Sequence, residues 1–214
     1  MVLSCLAILV VATRHAYPQD GAAVAIPRYN DKYSGLVKKL EAGQTNINYQ
    51  EFRESFLESN QFKVTGEQKP DLDTLRNTMR ELMNKAKYAE LISVTKKMLS
   101  IDYTDMEAHK VLQQTYKILG DTSNGNKYHD IEFGLLNSIV KNGDGKTCQT
   151  AWPVIQVTEE YFILNMIGAK VLQQSIDNTG GVCDRMKVQT DQGEKIYYFE
   201  ISKVFKGYNQ RGIH

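Results

Sequence analysis

Apolar residues along the chain first recur at helical spacing and then, in the last third, at strand spacing. Tyr33, Leu36, Val37 and Leu40 stand at i, i+3, i+4 and i+7 and stop at Gly43, the pattern of a helix with one buried stripe. A second helix starts at Asn48, with Glu51 three residues on as in a capping box, Ile47 placed to staple onto Phe52, and Tyr49, Phe52 and Phe56 as its apolar face. Leu72, Leu75, Met79, Leu82 and Ala86 share the face of a third helix, and Tyr88, Leu91, Thr95 and Met98 that of a fourth. Asp102 to Asp105 break the pattern. Thr104 with Glu107 then reads as a new capping box, ahead of a helix that buries Ala108, Val111, Leu112, Thr115 and Leu119 and ends at Gly120-Asp121. Thr122 to Asn126 read as an insertion before a last helix carrying Tyr128, Ile131, Leu135 and Ile139, with Gly134 inside it at a cost of about 1 kcal/mol.

After the turn-rich Lys141 to Gly145 the period changes. Pro153 to Val157 and Tyr161 to Met166 are short apolar runs of strand type, and Ala169 to Ile176 fits a helix or a further strand. Met186 to Gln189 and Ile196 to Ser202 flank Thr190-Asp191-Gln192-Gly193, a hairpin signal. Tyr197, Phe199 and Ile201 alternate with Tyr198, Glu200 and Ser202, so only the first set faces a core. The expectation is an α+β protein of about six helices over residues 17–141, packed on a small antiparallel sheet over residues 146–214.

Two segments of the helical part carry a resemblance. "YAELISVTKKMLSIDYTD" followed by "MEAHKVLQQTYKILGD", set at a period of about 34 residues, resembles the second helix of one tetratricopeptide (TPR) repeat running into the first helix of the next. Tyr116 and Gly120-Asp121 fall where that family places an aromatic and a turn, whereas Tyr103 replaces the usual Pro and Gln113 a small residue. The whole chain resembles a family of exported Bacteroidetes proteins known as domain of unknown function 4919, through "YSGLVKKLEAG", "EEYFILN", Cys183-Asp184 and "YYFEISKVF". That resemblance implies an exported protein with helices first and a sheet last. No activity and no catalytic residue come with it.

Charge narrows the partners. Lys and Arg number 26 against 25 for Asp and Glu, so no global field holds nucleic acid or an anionic membrane surface. Val2 to Ala12 is an uninterrupted apolar run, too short to span a bilayer and suited to a secretory leader over residues 1–16, with cleavage after Ala12 or Ala16. The basic stretch such a leader carries is missing ahead of it, which places the true start upstream or makes Met1 internal to a longer signal. Cys5 does not end the apolar run, as a lipidated cysteine should. The remaining Cys148 and Cys183 either form a disulfide in an oxidising compartment or stay as separate buried thiols. The expected location is the periplasm or cell envelope, with no transmembrane span in the mature chain.

Tests for chemistry come back empty. His109 is placed off the apolar face of its helix, and neither it nor His129 has a thiol partner in a recognisable setting. Gly143 to Thr147 contains Gly-Lys-Thr without the preceding glycine or following helix of a phosphate loop. There is no Gly-x-Ser-x-Gly elbow and no paired-His metal spacing, so no cofactor or metal is assigned. Glu159-Glu160 reads as a solvated turn between two strands. A TPR-type groove would instead place Arg76, Asn77 and Arg80 beside Lys110, Gln114 and Lys117, a basic strip able to hold acidic side chains or a peptide carboxylate. The function expected is a non-catalytic binding or scaffold module for a protein or peptide. The alternatives are an enzyme at the helix–sheet junction, marked by buried titratable groups, or a small-ligand binder with an aromatic pocket near Trp152, Tyr161 and Phe199.

Overall fold

The structure, a computed structural model, describes residues 23–210; the leader expected at residues 1–16 lies outside them. Seven helices come first among the described residues: α1 (Lys32–Glu41), α2 (Tyr49–Glu58), α3 (Asn60–Glu67), α4 (Lys69–Asn84), α5 (Tyr88–Ile101), α6 (Met106–Ile118) and α7 (Thr122–Val140). They are followed by β1 (Trp152–Pro153), α8 (Val157–Met166), β2 (Lys170–Asp177), β3 (Cys183–Thr190), β4 (Gly193–Glu200) and α9 (Ser202–Gln210). The protein is α+β, with helical hairpins in front and a small sheet behind.

The apolar stripes of α1 and α2 meet at a ring cluster. Tyr33 stacks on Phe52 at 5.3 Å and tilts against Phe56 at 5.0 Å, all fully buried. Asn48 caps α2 by accepting the Glu51 N–H, and Ile47 packs on the core behind it. α4 with α5, and α6 with α7, form the paired helices that the TPR-like segments imply. Ala86, expected on the α4 stripe, instead makes the α4–α5 turn at φ 52°. Tyr103 fills the place of the missing proline as a core aromatic, 1 % exposed, with its backbone N–H donating to the Tyr33 hydroxyl.

Two helix starts differ from expectation. The cap of α6 is Asp105, which accepts the Ala108 N–H at 3.0 Å, because the Thr104 hydroxyl is already committed to Asp102 at 2.6 Å. Asp121 caps α7 by accepting the Asn124 N–H, so Thr122 to Asn126 are the first turn of that helix and not an insertion. Gly134 is there because a Cβ would run into the ring of Tyr49 on α2.

The sheet order is β1-β4-β3-β2. β2, β3 and β4 are antiparallel, as expected, while the two-residue β1 pairs parallel to β4 and makes the sheet mixed. Asp184, Met186, Val188 and Phe199 point into the core, and Tyr197 stacks on Trp152 at 5.4 Å. Cys148, in a short 3-10 turn, is disulfide-bonded to Cys183 at the start of β3, with Cα atoms 5.8 Å apart. The run expected as a strand at Tyr161 to Met166 is helix α8, and the tail past Glu200 turns into α9.

Candidate functional site

α8 is held against the helices by a buried ion pair. The Arg53 guanidinium of α2 donates from Nε and Nη2 to the two Glu159 oxygens at 2.8 and 2.7 Å, and from Nη2 to the Pro153 carbonyl at 3.0 Å. Glu159 also accepts the Ile155 N–H at 2.8 Å, and both side chains are 3 % exposed. One residue before α8, the Gln156 amide donates to Asp102 and Thr104 at 2.9 and 3.0 Å, tying the helix to the α5–α6 turn. The expectation that Glu159-Glu160 lie in a solvated turn is therefore wrong. On a helix, neighbours point about 100° apart, so Glu159 faces α2 and Glu160 faces the sheet, both buried.

This docking leaves a cleft of about 500 Å³ between α4, α6 and α8. Met83, Met106, Val111, Val157 and Phe162 supply its apolar lining. Four of the six residues expected as a basic strip, Arg76, Arg80, Lys110 and Gln114, line it; Asn77 and Lys117 are exposed elsewhere on α4 and α6. The cations differ in how free they are. Arg76 is locked to Asp105 at 2.7 Å and Glu107 at 3.0 Å. Burial lowers the affinity of its guanidinium for the proton, and those carboxylates more than offset this, leaving its pKa raised. Arg80 reaches Glu107 only at 3.4 Å and is 56 % exposed. Lys110 has no carboxylate within salt-bridge distance among the described residues; its Nζ rests 2.8 Å from the Met166 sulfur and 5.8 Å from the Phe162 ring centre. Tyr161 and Asn165 complete the α8 wall. Sequence reasoning missed this wall, although Glu159, Phe162, Ile163 and Met166 stand at i, i+3, i+4 and i+7, and acidic residues fill the first turn where a helix dipole favours them.

Glu160 is the second unusual group. It is fully buried, and as a carboxylate neither of its oxygens has a donor among the described residues. Burial first, then the charge of Asp184 and a hydrogen bond to Asp184 that only the acid form makes, push it up to about 9. Asp184 in turn accepts the Gln174 amide at 2.7 Å, and the Tyr161 hydroxyl donates to Gln174 at 3.0 Å.

His109 also lies where it was not expected. It is fully buried, with Nε2 2.8 Å from the Tyr103 carbonyl and its ring against Tyr103 and Tyr128. Burial lowers it to about 4, so the neutral ring donates from Nε2 to that carbonyl. His129 is exposed beside Asp130. With Cys148 and Cys183 bonded to each other, neither sulfur is a free thiol. Trp152 and Phe199 pack together at 5.6 Å while Tyr161 faces the cleft, so these three do not line one aromatic pocket. Among the described residues, no group of three His, Cys, Asp or Glu side chains is placed to hold a metal, and no helix is long and apolar enough to cross a membrane.

No curated protein and no solved structure matches the chain. A family model described as "Domain of unknown function (DUF4919)" matches residues 24–210, from the segment ahead of α1 through the end of α9, and the chain belongs to that family.

Proposed function

We propose that this chain is an exported, non-catalytic binding module whose partner is a protein or peptide segment held in the α4/α6/α8 cleft, in the periplasm or cell envelope. The observation that carries this reading is Lys110, whose charge reaches the buried Glu132 but which has no carboxylate within salt-bridge distance among the described residues, lining the cleft with exposed Arg80 over an apolar floor of Met83, Val111 and Phe162. An acidic side chain or chain terminus would meet Lys110 and Arg80, and a neighbouring apolar side chain would fill the floor. Arg76 has a different task, since its charge is balanced by Asp105 and Glu107 and it shapes the wall. The apolar run Val2 to Ala12 and the disulfide support export, because such bonds persist in oxidising compartments.

An enzyme at the helix–sheet junction is the second reading, and Glu160 beside Asp184 is what favours it. Glu160 has no exposed surface, however, so no substrate from solvent touches it in this conformation. A peptide array of paired acidic and amidated sequences tests the leading reading. Retention of acidic–apolar peptides is expected to fall at least about tenfold in the Arg80→Glu/Lys110→Gln variant. Its melting temperature should stay within about 2 °C of the parent. Equal retention by the two proteins overturns the assignment.

A further inference from the structure

A groove of about 250 Å³ runs between β2 and α9, away from the α4/α6/α8 cleft, with which it shares only Val157. Its walls are Val157, Ile176, Ile201, Val204 and Phe205. Ile176 is 55 % and Phe205 41 % exposed, so an apolar occupant would cover surface that now faces water. Asp184 also lines it, 6 % exposed, with Gln174 as a neutral hydrogen-bond donor and no ion pair to Lys, Arg or His among the described residues. Beside Asp184 stands the buried Glu160, whose acid form donates to Asp184 and whose oxygens accept from no donor among the described residues. Lys203 of α9 holds Glu54 at 2.6 Å, and Arg53 holds Glu159.

A carboxylate largely withdrawn from water and lacking a counter-charge is under-compensated, and a ligand cation restores the balance. We propose that this groove is a second binding site, selective for an organic cation: an ammonium or guanidinium carried on a short apolar chain, with the cation on Asp184 and the chain along Ile176 and Phe205. A free alkylamine and a lysine or arginine side chain of a peptide present the same chemistry. An anion is repelled, and a neutral chain of equal length gains only the apolar contact.

Binding is linked to the proton on Glu160. The charges acting on that group are Asp184 from β3 and, more weakly, Glu159 from its own helix, which Arg53 of α2 neutralises. A cation on Asp184 removes the main charge that holds the proton in place and lowers the pKa of Glu160, so occupancy releases protons at pH values between that lowered pKa and about 9.

Calorimetric titration of the protein with hexylamine and with hexan-1-ol at pH 8 tests the site. Hexylamine is expected to bind at least about tenfold more tightly than the alcohol. Asp184→Asn should bring the two to parity, since its amide oxygen still accepts from Gln174 but carries no charge. Glu160→Gln should keep the preference for the amine while abolishing the dependence of the binding heat on the buffer's heat of ionisation. Equal binding of amine and alcohol by the parent, no binding of either, or a preference that survives in Asp184→Asn overturns the site; a buffer dependence that survives in Glu160→Gln overturns the proton linkage. A blocked Ala-Lys-Ala peptide run in parallel separates the sources: binding of hexylamine alone supports a free amine, and binding of the peptide supports a partner's side chain. Arg80→Glu/Lys110→Gln should leave these titrations unchanged, so this site and the α4/α6/α8 cleft fail or stand separately.

Discussion

The guanidinium of Arg53 and the carboxylate of Glu159 satisfy each other almost completely, and neither reaches bulk water. Removing only the cation leaves a buried charge with a single backbone donor, at Ile155. Arg53→Met should therefore cost about 3–5 kcal/mol in urea unfolding, and Arg53→Met/Glu159→Leu should recover most of it. Glu160 has the opposite problem, since it is stable only as the acid. Its folded pKa of about 9 lies above the unfolded value of 4.5, so its contribution is intact below 4.5 and is lost as pH rises towards 9. At pH 7 that loss is on the order of 3 kcal/mol. Glu160→Gln, which mimics the acid, should raise stability at pH 7 and leave it unchanged at pH 4, as read from denaturant midpoints at the two values. His109 acts in the other direction: held near 4, it takes stability away as pH falls from 6.5 towards 4, because the unfolded ring binds the proton first. Neither behaviour was legible from sequence. Helical spacing puts His109 outside the apolar stripe and the flanking strand-like runs put Glu160 in a turn, and only the packing of other elements around them sets their environment.

Among the elements, α1, α2, α5 and α7 could be read because their large apolar residues recur at helical spacing, which is what a 3.6-residue period records. α8 hides that signal. Phe162, Ile163 and Leu164 are buried in succession because the helix is enclosed on more than one side, and a short continuous apolar run does not separate a strand from a helix. α3 escaped for a different reason. It has eight residues, and its anchors are the polar Gln61 and Thr65, whose side chains donate to the Ile101 carbonyl at 2.9 and 2.7 Å. Gly134 shows how far local rules mislead. Helix propensity alone favours Gly134→Ala by about 1 kcal/mol. Contact with Tyr49 reverses the sign, and the substitution should lower stability by about 1–3 kcal/mol in thermal unfolding. A stabilised variant would mean that α2 and α7 are free to move apart.

For the molecule as a whole, the order of helices first and sheet last was legible, and so was the β3–β4 hairpin, through its turn residues and alternation. What was not legible is that a helix from the second half packs on the helices of the first. That placement converts a solvated basic strip into a cleft: α8 contributes Tyr161, Phe162 and Asn165, Glu107 occupies Arg76, and Asn77 and Lys117 are left outside. Four of the six strip residues line the cleft because α4 and α6 are the first helices of successive TPR-like pairs, linked by Arg76 and Arg80 to Glu107, and no residue-level motif announces the opposing wall. The most direct test of the binding reading is site-specific photo-crosslinking in the host envelope, with benzoylphenylalanine placed either at Met83, which lines the cleft and is 44 % exposed, or at Phe133, which is 59 % exposed on α7 and outside it. The account predicts a discrete protein adduct from Met83 that disappears with Arg80→Glu/Lys110→Gln, and no adduct from Phe133. An adduct from Phe133 alone, or one from Met83 that persists in the charge variant, would contradict it.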